Sequence, residues 1–211
     1  MTTTLDSASS TGETKRLGGA PIAGSRAFGV LLALTGAAGL LAAWVITLDE
    51  FKLLQNPHFV PSCSLNPVVS CGSVMQSDQA HVFGFSNPML GLATYPVVIG
   101  IGLAILAGAK HQRWYWLGLQ AGTLFGVGFI TWLQFESLYR IHALCLWCCL
   151  AWVTTVIMFW YTVSHNVRHG VIPAPRWMRS FFTDFTWILP TLHLAIIGLL
   201  ILTNWWSFWT S

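Results

Sequence analysis

Five cysteines carry the reactive chemistry of this chain. Cys145-Leu146-Trp147-Cys148 is a C-x-x-C followed at once by Cys149, while Cys63 and Cys71 stand earlier and enclose Ser64 to Ser70. On a helix, thiols three positions apart share a face with Cβ atoms about 5–6 Å apart. A disulfide wants about 3.5–4.5 Å, so closing Cys145 on Cys148 needs local adjustment, and the bond should be reducible. At a helix start the dipole favours a thiolate, which makes Cys145 the better leaving group. A zinc site needs a second ligand pair, which Cys63 and Cys71 would have to supply. The loop pair reads either as a structural bridge or as a mobile dithiol that accepts electrons from a soluble partner and hands them to the C-x-x-C.

The elements that position these thiols are membrane helices. Ten Lys/Arg and seven Asp/Glu make up only 8% of 211 residues, against 55% hydrophobic and 14% aromatic; an ordinary soluble domain is about 25% charged. Charge-free stretches cover 27–48, 79–109, 114–135, 141–167 and 185–211, each long enough for the roughly 20 residues that cross a bilayer. This excludes a soluble enzyme and a secreted disulfide-rich miniprotein. A net charge of +3 is too small and dispersed for a nucleic-acid partner. The expected fold is all-α and integral to the membrane, with spans at Ala27 to Leu48, Met89 to Ala109 (kinked at Pro96), Trp114 to Phe135, Ile141 to Val163 and Thr186 to Trp206. Residues 1–25 read as a disordered tail, 49–88 as a loop with a short helix near Gly72–Ser77, and 166–185 as a further loop. Gly118, Gly122 and Gly126 form a stripe that lets a neighbouring helix approach closely. Trp44, Trp114, Trp116, Trp132, Trp205, Trp206 and Trp209 are expected at span ends, in the interface.

Orientation follows from the basic residues. With the N-terminus cytoplasmic, Lys15, Arg16, Arg26, Lys110, Arg113, Arg168, Arg176 and Arg179 lie inside, and only Lys52 and Arg140 outside. All five cysteines then sit on or near the outer face, where disulfides persist. Electrons reaching Cys148, deeper than Cys145, need an acceptor. No Gly-rich dinucleotide fingerprint is present, so NAD(P) is not expected, and a membrane quinone is the natural two-electron partner. A nearby hydrogen-bond donor should hold a quinone oxygen where charge develops.

Cys63-x7-Cys71-Gly72-Ser73-Val74, then Phe83-Gly84-Phe85-Ser86-Asn87-Pro88 with Gly91 and Tyr95, then Cys145-x-x-Cys148 resembles the vitamin K epoxide reductase family, in particular its bacterial members, over about residues 27–165. The resemblance implies a four-helix bundle around a quinone (menaquinone, ubiquinone or vitamin K), capped by an outside loop and short helix, plus a fifth span. It implies that Cys145 and Cys148 are the active-site pair, with Cys148 contacting the quinone, and that Cys63 and Cys71 are the shuttle, with Cys71 exchanging onto Cys145. Asn87 would donate to a quinone carbonyl, with Met75, Tyr95 and Trp152 around the ring. Trp152 is a departure, because vertebrate members carry a tyrosine hydroxyl there. In bacterial relatives the fifth span leads into a thioredoxin-like domain. Here the expected partner is a separate thioredoxin-like protein outside the cytoplasm.

The resulting expectation is a multi-pass plasma (inner) membrane thiol–disulfide oxidoreductase that passes electrons through Cys63/Cys71 and Cys145/Cys148 to a quinone, with no metal. The alternatives are vitamin K epoxide recycling, or a non-catalytic membrane protein with structural disulfides. Among the remaining polar residues, Cys149 reads as a small buried hydrophobe and His142 as an interfacial histidine. Asp78 and His81 read as a solvated loop face, His193 has no assigned role, and Glu136 is a candidate proton acceptor near the outer surface.

Overall fold

The structure, a computed structural model, describes residues 21–206 and 208. It is all-α apart from one two-residue strand pair, β1 (Ile22–Ala23) with β2 (Lys110–His111). The helices are α1 (Arg26–Gln55), α2 (Cys71–Met75), α3 (Pro88–Leu106), α4 (Arg113–Glu136), α5 (Leu146–Arg168), α6 (Arg176–Asp184) and α7 (Ile188–Asn204). A 3-10 turn, Asp78–His81, precedes α3, and a π turn, Ser137–Ile141, ends α4. Four helices are long and apolar enough to cross a membrane, α4 being counted through to Ile141. A fifth span arises if α6 and α7, bent by 70° at their junction, are taken together.

Element boundaries differ from expectation at four places. Within the expected tail, residues 1–25, positions 21–25 are structured, because Ile22–Ala23 pairs with the α3–α4 turn and Ser25 Oγ accepts the Phe28 N–H at 3.2 Å to cap α1; the rest of the tail and Trp209 lie outside the described residues. α1 does not stop at Leu48 but continues to Gln55, since Ile46 and Leu53 keep burying one face and draw Asp49 and Glu50 inside with them. α5 starts at Leu146 rather than Ile141. The segment 166–185 is not simply a loop: α5 runs on to Arg168, and α6 is tied back to it by Ser164 Oγ–Phe182 O at 3.0 Å and Arg168 Nη2–Thr183 O at 2.9 Å.

The bundle follows from where backbones can meet. α1 packs against α3 and α5, and α5 against α4. The close approach is between α1 and α3: a Cβ on Gly102 would stand 2.7 Å from Gly29 O, and one on Gly91 2.8 Å from Ala43 Cβ. Small residues supply this contact because lipid offers no hydrophobic push between helices. The expected stripe on α4 serves that purpose only at Gly126, where a Cβ would stand 3.2 Å from Thr155 Cγ2 of α5. Nothing stands within 4 Å of a Cβ at Gly118 or Gly122, and both line a cavity. Trp116 and Trp205 also depart from expectation, being buried rather than interfacial. Trp116 is fully buried between Phe28 and His165, and Trp205 packs into the α4–α5–α7 cluster. Trp114 and Trp206 are exposed, as interfacial tryptophans are. His193 accepts the Trp160 indole N–H at 3.2 Å, joining α7 to α5.

Candidate functional site: thiols at the rim of an apolar cavity

Four cysteines converge at one end of the bundle. After the π turn, His142 takes a left-handed conformation, φ 55°, and turns the chain into an extended segment. Leu144 there pairs in parallel with the loop: its N–H donates to Val68 O at 2.7 Å, and its carbonyl accepts from Ser70 N at 3.0 Å. The pairing holds 143–145 out of the helix and brings Cys145 beside the strand that leads into Cys71. Cys145 is therefore the N-cap of α5 rather than a residue within its first turns. Its Sγ accepts the Cys148 N–H at 3.4 Å, in the place where a serine or aspartate oxygen commonly caps a helix.

Cys63 and Cys71 are joined as a disulfide, with Cα atoms 5.7 Å apart, while Cys145, Cys148 and Cys149 are free thiols. The intervening loop is ordered by its own polar groups. Asn66 Oδ1 accepts from Val68 N at 3.0 Å and Val69 N at 2.7 Å, and Ser64 Oγ accepts from Gly72 N at 3.3 Å. Cys63, Cys71 and Cys145 are buried in one cluster with Ile46, Leu53 and Met75, against which Cys148 and Trp147 pack. Cys149 instead packs with Cys148 on the cluster of Trp152 and Leu194. His142 is exposed. Glu136 is buried at the end of α4.

Between α3 and α4 lies a cavity of about 560 Å³, closed at the cysteine end by α2 and the 3-10 turn. On α4 its wall extends from Trp114 to Leu133, roughly 28 Å at 1.5 Å per residue. Cys148, Met75, Asn87, Tyr95 and Trp152 all line it, whereas Cys63, Cys71 and Cys145 do not. Asn87 Nδ2 donates to Gln79 O at 2.7 Å, which leaves its second amide hydrogen, and its buried Oδ1 meets no donor among the described residues. Tyr95 is differently committed. Its hydroxyl lies 3.1 Å from Thr155 Oγ1, whose own hydrogen goes to Ala151 O at 2.7 Å. A hydroxyl has one proton, so Tyr95 donates to Thr155 and offers the cavity chiefly its ring.

One polar group at the site was not anticipated. Glu50, buried on α1, lines the cavity. One of its oxygens lies 2.7 Å from His81 Nε2, and the other accepts from Ser86 Oγ. His81 is thus not simply on a solvated loop face. The available signal was the continued apolar spacing of Ile46 and Leu53, which extends α1 and turns Glu50 toward the bundle.

The fold and the site together define a multi-pass helical membrane protein with paired thiols beside an apolar cavity, a membrane redox protein. Residues 30–163 match the Vitamin K epoxide reductase family. That is more than half of the chain, and the protein belongs to this family. No curated protein matches it.

Proposed function

We propose that this protein oxidises a separate thioredoxin-like dithiol protein outside the cytoplasm and passes the electrons to a quinone in the cavity, driving disulfide formation. The observation that carries this reading is the position of Cys148, which is on the cavity wall and also packed on the cluster of Cys63, Cys71 and Cys145. In this reading the partner reduces Cys63–Cys71, and the freed Cys71 thiolate attacks the oxidised Cys145–Cys148 pair at Cys145, giving a mixed disulfide that Cys63 resolves. This re-forms Cys63–Cys71 and leaves Cys145 and Cys148 as thiols, which close again as a disulfide when their two electrons pass to the acceptor faced by Cys148. The quinone supplies a sink for two electrons and two protons. A mostly apolar cavity of this size and length suits a ring with an isoprenoid tail, and the second Asn87 N–H is free to hold a ring oxygen. The catalytic unit is 26–165, of the bacterial type, with the N-terminus cytoplasmic and the C-terminus outside.

The test is dithiol-driven reduction of a short-tailed quinone by the purified protein. Cys148→Ala should lower turnover at least 100-fold, roughly 2.7 kcal/mol of barrier. Unchanged turnover would leave a structural bridge as the only use of these cysteines.

A further inference from the structure

Two electrons and two protons must reach the acceptor, and the thiols account for only part of the proton path. Cys148 is on the cavity wall, but Cys145 is behind it, fully buried and off the wall. A proton lost by Cys145 has no direct route inward. Among the described residues Glu50 is the one carboxylate on that wall, and its connections lead outward. His81, with its side chain 43% exposed, places Nε2 2.7 Å from Glu50 Oε1, while its Nδ1 lies 3.5 Å from the Ser77 carbonyl. Ser86, next to Asn87, donates to the other carboxylate oxygen. A second, smaller cavity of about 40 Å³ lies against Glu50, Thr47 and Ser86. Its lining is mostly apolar, completed by Phe51, Leu54 and Met89, and the connection from Glu50 to His81 does not pass through it.

We infer that His81 and Glu50 form a proton entry from the aqueous face of the cap to the acceptor oxygen held near Asn87. The inference rests on the functional reading above. Two thiols and one quinone become one disulfide and one hydroquinone: two S–H bonds break, one S–S bond and two O–H bonds form, and two electrons pass from sulfur to oxygen. One proton comes from the Cys148 thiol on the wall. Cys145 releases the other to the aqueous side, and an equal one enters through His81 and Glu50. Glu50 hands a proton to the acceptor oxygen and regains one through His81, whose half-exposed ring meets water. The other titratable groups on the cavity wall are Cys148 on α5, Tyr95 on α3 and Tyr115 on α4. On α1 itself Asp49 is engaged by Lys52 at 3.2 Å, and on the cap Asp78 begins the turn that carries His81.

Glu50→Gln, Glu50→Asp and His81→Gln are compared in the full-length protein. Three readouts are used: turnover against pH, quenching of tryptophan fluorescence by a short-tailed quinone without reductant, and infrared difference spectra on adding dithiol. Glu50→Gln should lower turnover at least tenfold with quinone binding within twofold, and should abolish a protonated-carboxyl band seen in the parent. Glu50→Asp should restore part of both. His81→Gln, at a half-exposed site that tolerates change, should lower turnover severalfold and alter its pH profile, with quinone binding within twofold. Unchanged turnover, pH profile and spectrum in Glu50→Gln overturn the inference. So does a loss of turnover matched by an equal loss of quinone binding, which would make Glu50 a strap for the cap. If the parent passes no electrons from dithiol to quinone, it is the functional reading that fails. If the parent does and Glu50→Gln does so equally, only the proton entry fails.

Discussion

Asn87 and Tyr95 show how the same cavity uses two polar side chains differently. Asn87 gives one N–H to Gln79 O, and in the proposed function its second N–H holds a quinone oxygen. Asn87→Ala should raise the quinone KM about tenfold, near 1.4 kcal/mol, the range of one hydrogen bond, in steady-state kinetics with a short-tailed quinone. Tyr95 spends its proton on Thr155. Tyr95→Phe should therefore lower stability by about 1 kcal/mol in thermal unfolding while turnover stays within twofold. A collapse of turnover would show that the hydroxyl touches the substrate. The cysteines were legible from residue type and spacing alone, because few side chains do redox chemistry. The Glu50–His81–Ser86 cluster was not, because its partners are 31 and 36 positions away in sequence and meet only once α1 is extended and the cap is folded over it.

At the scale of elements, two sets of glycines have opposite duties. Those between α1 and α3 allow backbone contact, so Gly102→Ala forces its Cβ to within 2.8 Å of Gly29 O and Ala33 N. Neither is the end of a flexible side chain, so overpacking of this kind should cost about 1–3 kcal/mol and lower the unfolding midpoint. Gly118 and Gly122 meet nothing. Gly122→Leu should leave the midpoint nearly unchanged but fill the cavity, raising the KM for a long-tailed quinone severalfold more than for a tailless one. The charge-free stretches made the helices legible because spanning a bilayer demands length and apolarity. Their ends were less legible: Glu50 can be carried inside only because His81 and Ser86 meet it there, and Cys145 leaves the helix only because Leu144 pairs with Val68 and Ser70. Gly118 and Gly122 of the α4 stripe misled for a related reason, since spacing marks a small face without saying whether a helix or a cavity lies against it.

Over the whole molecule, the proposed electron transfer requires the loop disulfide, the α5 N-cap and the proposed protein partner to share one side of the membrane. The geometry brings Cys63, Cys71 and Cys145 into one cluster at the end of the bundle opposite β1, β2 and α6. Among the described residues the basic side chains divide the same way, with Arg26, Lys110, Arg113, Arg168, Arg176 and Arg179 at the end bearing the strand pair and α6, and only Lys52 and Arg140 at the cysteine end. By the positive-inside rule this distribution supports the proposed orientation, with the cysteines outside. Single cysteines introduced at exposed His58, His142 and Trp177, in a background lacking the five native ones, should separate into two classes with a membrane-impermeant maleimide. Positions 58 and 142 should label in intact cells and 177 only after permeabilisation. Labelling of 58 and 142 on opposite sides would contradict the packed cluster itself. Labelling of 177 alone in intact cells would keep the cluster but turn it to the cytoplasm, where thiols are held reduced and a disulfide-forming role would lose its setting.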